Sequence, residues 1–293
     1  MAVVLALCSA LAYGLSDFIG GIVSRRTSAW AVAVLGQTSS VVCTGLVAFL
    51  WTSGHAEGQD FAWAALAGVG SGTGVAFLYR GFAAGRMSVV APVSAVGAAV
   101  VPVLAGTVTG ERPSLVVWLG VLAALPGIWL VSTVPVDQVD SQAGAGRAGD
   151  FPRARASIAE GVVDGLLAGL GFGLLFAALG QVPDRAGLWP LALCQLVAVP
   201  SVVVLAIVLR TPWWPRQRAA GWALLAGPLG TAATLAFLLA SQRGFLTVAG
   251  VLSSLYPAST VLLAALVLHE RLHRAQGLGL VLCGVAVALV AAG

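Results

Sequence analysis

Residues Gly85–Arg112 read GRMSVVAPVSAVGAAVVPVLAGTVTGER, and Gly244–Arg271, 159 positions later, read GFLTVAGVLSSLYPASTVLLAALVLHER. The two align without a gap. Gly85 answers Gly244, Ser88 answers Thr247, Val89 answers Val248 and Ser94 answers Ser253. The closing pair Glu111-Arg112 answers Glu270-Arg271. Each copy is an apolar run that follows a glycine and ends on an acid and a base. An internal repeat of this length sets the architecture before any local feature does. The chain is a duplicated one.

Working outward, 59% of the 293 residues are hydrophobic and 9% are charged. A soluble domain carries about 25% charged residues, so this chain lacks the polar surface to coat a water-soluble globule. Runs of roughly 20 apolar residues cross a ~30 Å hydrocarbon core. Ten such spans are expected, at about 2–23, 29–51, 61–84, 88–109, 114–134, 160–181, 187–209, 219–241, 246–268 and 275–292. The first is expected to be a retained helix and not a signal peptide, having no charged leader or small-residue cleavage site. The expected division is a first five-helix repeat at 1–135, a polar linker at 136–159 and a second repeat at 160–293.

The halves correspond elsewhere too. Gly14 and Gln37 match Gly171 and Gln195, and glycines recur at Gly120 and Gly127 and at Gly277 and Gly284. Five helices per half is an odd number, so the second half enters the membrane the opposite way round. Inverted repeats of this kind build secondary transporters with a midplane site between the halves. The expected fold is therefore an all-α membrane protein of ten transmembrane helices, in two inverted five-helix repeats around a central cavity.

All fifteen basic residues are arginines. Eleven fall in odd-numbered loops, while only Arg112, Arg185 and Arg243 fall in even-numbered ones. The positive-inside rule then places the odd loops in the cytoplasm and both termini outside. Cys8, Cys43, Cys194 and Cys283 lie within apolar runs without paired spacing, as packed thiols do.

Two five-helix repeats, each with a fourth span ending in Glu-Arg and a fifth with spaced glycines, resemble the EamA-like branch of the drug/metabolite transporters. The segment Tyr13–Gly21, YGLSDFIGG, is similar to a first-helix segment of that family. The resemblance covers essentially the whole chain. It implies a basket of helices around a cavity, no cofactor, and export or import of small organic solutes by alternating access; an exporter in the cytoplasmic membrane is expected. It also implies cytoplasmic termini, opposite to the arginine count. The expected partners are a small-molecule substrate, the lipid bilayer and a proton or other coupling ion, with no nucleic acid. A monomer suffices, because both halves are in one chain.

The first span carries the polar stripe Ser9, Tyr13, Asp17 and Ser24 near helical spacing. An ionised Asp at the bilayer centre costs ~2.5–3.5 kcal/mol and so needs a partner, water or a proton. Arg80 is the one arginine inside a span, and its depth, counted from Arg86, matches that of Asp17 counted from Arg25. An Asp17–Arg80 pair bordering the cavity is expected, against a purely structural ion pair or a snorkelling Arg80. Ser253, Tyr256 and Thr260 surround Pro257 in the ninth span, and Ser94 lies between Pro92 and Pro102 in the fourth. These are further cavity candidates, with Pro92, Pro102 and Pro257 as hinges; plain packing, with hydroxyls bonded to their own helix, is the alternative. Gln37 and Gln195 occupy equivalent places, as cavity lining or as interhelical hydrogen bonds.

Glu111, Arg112, Glu270 and Arg271 read as structural junctions, the acids complementing a helix N-terminus. Glu160 and Asp164 share a face and read as an interfacial collar. His269 and His273 flank Glu270 without a third ligand, so no metal site is expected. No catalytic residue is expected either: no histidine lies inside a span, and Asp17 and Asp164 fall on different repeats. There is no phosphate-binding glycine loop for ATP. The competing readings are a lipid-carrier flippase of the same architecture and, more remotely, an intramembrane enzyme.

Overall fold

A computed structural model describes residues 1–50, 54–132, 151–267 and 273–293, with the side chains of 87–88, 151–158 and 263–267 left aside. Every regular element among them is helical, as the bilayer demands: an unpaired backbone group in hydrocarbon costs several kcal/mol, and a helix pairs its own. The first half holds α1 (Ala2–Ser24), α2 (Ala29–Leu50), α3 (Gly58–Ala83), α4 (Met87–Val108) and α5 (Leu115–Ser132). The second holds α6 (Phe151–Leu179), α7 (Trp189–Val208), α8 (Ala226–Gln242), α9 (Leu246–Ser253), α10 (Tyr256–Val267) and α11 (Arg274–Ala292). Among the described residues, nine helical stretches are long and apolar enough to cross a membrane, and Leu246–Leu262 is a shorter apolar tenth.

Three spans differ from the sequence expectation. Helix α6 begins at Phe151 and not near 160, so nine of the residues read as linker are helical; the rest of that stretch, and the Glu270-Arg271 junction with His269, lie outside the described residues. The eighth span opens as a 3₁₀ segment, Arg218–Leu225, before α8. The ninth is broken at Ser254–Leu255 into α9 and α10, which places Pro257 in the first turn of α10, where its missing N–H costs nothing, and not mid-helix. Pro92 and Pro102 both lie inside a continuous α4.

The halves interlock. Helix α3 packs chiefly on α6 and α7 of the other half; reciprocally, α8 packs on α1 and α2. Helix α4 packs on α6 as the α9–α10 pair packs on α1, α2 meets its counterpart α7, and α5 meets α11. This is the contact pattern of a twofold exchange between repeats. At the α3–α6 crossing the backbones touch. A Cβ at Gly70 would stand 2.6 Å from the Gly171 carbonyl oxygen, and one at Gly171 would stand 2.5 Å from the Gly74 nitrogen. Small residues admit this approach, which is where helix association in lipid gains its packing.

The loops show the inversion. At one end Ser28, in the α1–α2 turn, donates to the Pro212 carbonyl after α7, and Arg86, in the α3–α4 turn, pairs with Glu160 of α6. At the other end the His55 N–H donates to the Arg185 carbonyl at 2.7 Å, Glu111 meets the start of α9, and Gly244 stands against Ala2. The α1–α2 turn therefore sits at the end opposite to its counterpart, the α6–α7 turn that carries Arg185. The repeats are antiparallel to one another.

Candidate functional site

A cavity of about 40 Å³ lies between the first three spans of each half. Helix α1 contributes Tyr13, Ser16 and Asp17; α2 contributes Gly36, Gln37 and Ser40; α3 contributes Ser71, Val75 and Tyr79. The second half supplies Phe172 from α6, Gln195 from α7, and Ala226, Gly230 and Thr234 from α8. By the 159-residue register Ser71 and Val75 answer Gly230 and Thr234, so the third and eighth spans present the same two positions to the cavity. A water needs roughly 10–15 Å³ of such space, so this conformation holds a few waters and a larger solute requires the helices to part.

The two glutamines do equivalent work. The Gln37 amide donates to Ser71 Oγ at 2.9 Å, and the Gln195 amide donates to Thr234 Oγ1 at 3.2 Å. Each bond ties the second span of a half to the third. The Thr234 hydroxyl donates to the Gly230 carbonyl at 2.8 Å, so it must accept from Gln195, and that fixes which way the amide faces. The other end of the Gln195 amide, Oε1, is buried without a partner among the described residues, as is the Tyr13 hydroxyl.

Asp17 lies seven residues from the end of α1, about 10 Å along the axis at 1.5 Å per residue. It is 6% exposed, and no described residue hydrogen-bonds or ion-pairs with its carboxylate. The pair with Arg80 expected from sequence is not formed. Arg80 instead reaches α6, where Nε donates to Asp164 Oδ1 at 2.7 Å and the terminal Nη2 contacts the same oxygen. The guanidinium also stacks over Phe77 at 4.7 Å. Arg86 joins Asp164 at 3.5 Å and pairs with Glu160. The arginine's partner is thus an acid of the other half and not Asp17. Asp164 is fully buried, so the expected collar is instead the anchor of a four-residue ionic cluster, of which only Glu160 is mainly exposed.

The remaining sequence candidates are dispersed around the cavity. Ser94 donates to the Ala91 carbonyl at 3.0 Å and meets the Tyr256 hydroxyl at 2.9 Å, bridging the fourth and ninth spans. Tyr256 stands edge-on to Phe172, centroids 6.2 Å apart. Ser253 and Thr260 donate to the carbonyls of Ala6 and Gly14 on α1, at 3.4 and 3.2 Å. They fasten the broken ninth span to the first. Pro102 abuts Gly250. Glu111 accepts from the N–H of Leu246, the N–H of Thr247 at 2.9 Å and the Thr247 hydroxyl at 2.7 Å. It caps α9 in the opposite repeat, a partner that sequence alone did not name.

Sequence reasoning passed over Ser16, Ser40, Ser71, Tyr79 and Thr234. Ser16 and Ser40 donate to the carbonyls of Ala226 and Gly227, at 3.2 and 3.0 Å, where the 3₁₀ segment passes into α8. The register gave no signal for the two glutamine partners, since Ser71 answers Gly230 and Thr234 answers Val75. Among the described residues no group of three or more metal-ligating side chains gathers.

An all-helical membrane protein of two inverted repeats with a polar pocket at their junction belongs to the carrier class by architecture. The EamA-like transporter family profile matches residues 1–133 and again 160–292, and the chain belongs to that family. It is thus a multi-pass membrane protein of the drug/metabolite transporter type, from a family of transporters and not enzymes. A crystal structure described only as that of a protein superposes with a TM-score of 0.69 at 16% identity, covering 98% of this chain and 95% of that one. At that identity it shows the shared fold alone. No curated protein matches the chain.

Proposed function

We propose that the chain is a secondary transporter that exports small organic metabolites or drugs across the cytoplasmic membrane by alternating access. The observation that carries this reading is the cavity at the junction of the two inverted halves, with a buried, unpartnered acid in its wall. A carboxylate in hydrocarbon without a protein partner is costly, and a cargo, a coupling ion or water that comes and goes explains its retention.

Each end of the cavity has its own closure. At the odd-loop end Arg80, Arg86, Glu160 and Asp164 tie α3 to α6. At the other end Glu111 ties the fourth span to α9, and Arg185 joins Glu57 at 3.0 Å and Asp60 at 3.2 Å. Releasing one set while keeping the other opens the cavity to one side. The odd-loop end, which holds Arg25, Arg26, Arg86, Arg210, Arg216 and Arg218, is the cytoplasmic one by the positive-inside rule. A monomer completes the site, since both halves that line it are in one chain.

The test is an untargeted comparison of solutes in cells and medium for wild type, Asp17→Asn and empty vector. A chemical class that accumulates in the medium only with wild type supports export through this site. A class that moves with wild type and mutant alike keeps the transporter and removes Asp17 from it. A shift confined to lipid-linked species favours the flippase.

A further inference from the structure

We propose that the cavity recognises a small organic monocation bearing an ammonium group, with Asp17 as its counter-charge. This deepens the transporter reading above and rests on it.

Charge comes first. Among the described residues, Asp17 is the only acidic or basic side chain lining the cavity. Arg80, which could have neutralised it, is turned to Asp164. The duplication does not restore balance: through the Gly14–Gly171 correspondence, Asp17 answers Leu174 in the second half. The site's one acid therefore lies on one repeat only. An anionic solute entering the site would meet like charge with no cation in the wall, whereas a monocation would neutralise it.

Hydrogen-bond polarity points the same way. Among the described residues, the Asp17 carboxylate has no hydrogen bond or ion pair, and Gln195 Oε1 and the Tyr13 hydroxyl are buried without a partner. The first two can only accept while Asp17 is ionised, and a phenol can accept as well as donate. The Gln195 amide nitrogen is held by a threonine hydroxyl already used as a donor, which leaves the carbonyl as the unpartnered end of that amide. Three acceptors suit the three N–H donors of a primary ammonium. A carboxylate or phosphate would find no cationic side chain among the described lining residues.

The wall also carries aromatic rings, Tyr13 and Tyr79 from the first half and Phe172 from the second. Ring faces attract ammonium and guanidinium groups. A site of acceptors, one acid and aromatic rings is complementary to an amine's polar end and its alkyl body together.

Three probes of one shape and different charge test this: isobutylamine, isobutanol and isobutyrate, with sodium chloride as the ion control. Binding to the purified full chain in nanodiscs is read by melting temperature and by calorimetry, and flux is read in proteoliposomes. The expected result is binding and flux of isobutylammonium alone. Asp17→Asn lowers its affinity about 30-fold or more, Asp17→Glu recovers part of the loss, and the ligand-free melting temperature of Asp17→Asn is no lower than that of wild type. Tyr13→Phe, which keeps the ring, is the second variant and weakens the amine more than it weakens tetramethylammonium, which has no N–H.

Equal binding of isobutanol or isobutyrate overturns the proposal while leaving the transporter intact. So does amine binding that survives Asp17→Asn. Stabilisation by sodium alone reassigns Asp17 to a metal-ion site and also overturns it. Absence of binding and flux for all three probes counts against the charge assignment and the transporter reading together.

Discussion

At the scale of single residues, two buried acids, Asp17 on α1 and Asp164 on α6, have opposite circumstances. Asp164 is enclosed by two arginines, and Asp17 has no protein partner among the described residues. Asp164→Asn leaves Arg80 and Arg86 without their shared carboxylate. It should cost about 3 kcal/mol, the lower part of the range for breaking a buried pair, because Arg80 keeps 34% of its side chain exposed. A drop in melting temperature of the detergent-solubilised protein checks this. Asp17→Asn removes an unpaired buried charge, so it should melt no lower than wild type while solute flux falls at least about tenfold. Both acids were visible in the sequence as rare charges in apolar runs. Their partners were not: counting residues from a loop gives depth along the axis, but the angle at which a side chain leaves a helix depends on packing that no local pattern encodes.

At the scale of elements, the repeat motif Glu-Arg acquires a physical meaning from Glu111. Its carboxylate takes two backbone N–H groups and a hydroxyl at the start of α9, where a helix leaves donors unsatisfied and the dipole favours an anion. Glu111→Gln should cost about 1–2 kcal/mol, on the scale of a lost helix cap, and the loss should be seen in melting temperature and in faster hydrogen exchange at Leu246 and Thr247. Glycine positions divide in the same way. Gly70→Ala places a methyl group against the Gly171 backbone and should destabilise by about 1–3 kcal/mol, the range for overpacking, whereas Gly45→Ala meets no described atom within 4 Å and should be tolerated. Thermal melts of the two variants side by side separate these outcomes. Span number and repeat register were legible because hydropathy and duplication are properties of the chain itself. The break at Ser254–Leu255 and the 3₁₀ start of the eighth span were not; at the latter, hydroxyls of Ser16 on α1 and Ser40 on α2, far along the chain, supply hydrogen bonds where the 3₁₀ segment passes into α8.

At the scale of the whole molecule, the twofold exchange holds for helix packing and fails for charge. Glu160, Asp164, Arg80 and Arg86 answer Val3, Leu7, Leu239 and Phe245 by the repeat registers. The odd-loop end is thus fastened by ion pairs where the same places at the other end are apolar, and the latter end relies on the Glu111 cap and the Arg185 pairs. On the proposed transport cycle, the two fastenings, built from different residues, would serve as separate gates. High salt should weaken the half-exposed Arg86–Glu160 contact more than the Glu111 cap. Inversion itself was legible from an odd helix count per repeat; that α3 would cross to pack on α6 and α7 was not, because repeats fix what is equivalent and not what touches.

The central claim is that the cavity opens to each side in turn. The most direct measurement places a single cysteine at Ser71, with Cys8, Cys43, Cys194 and Cys283 replaced, and applies a membrane-impermeant thiol reagent from either side of oriented vesicles. Alternating access predicts labelling from both sides, with a disulfide lock across the Glu111–Thr247 contact blocking labelling from that end alone. Labelling from one side only, whether or not solute is present, would contradict the account.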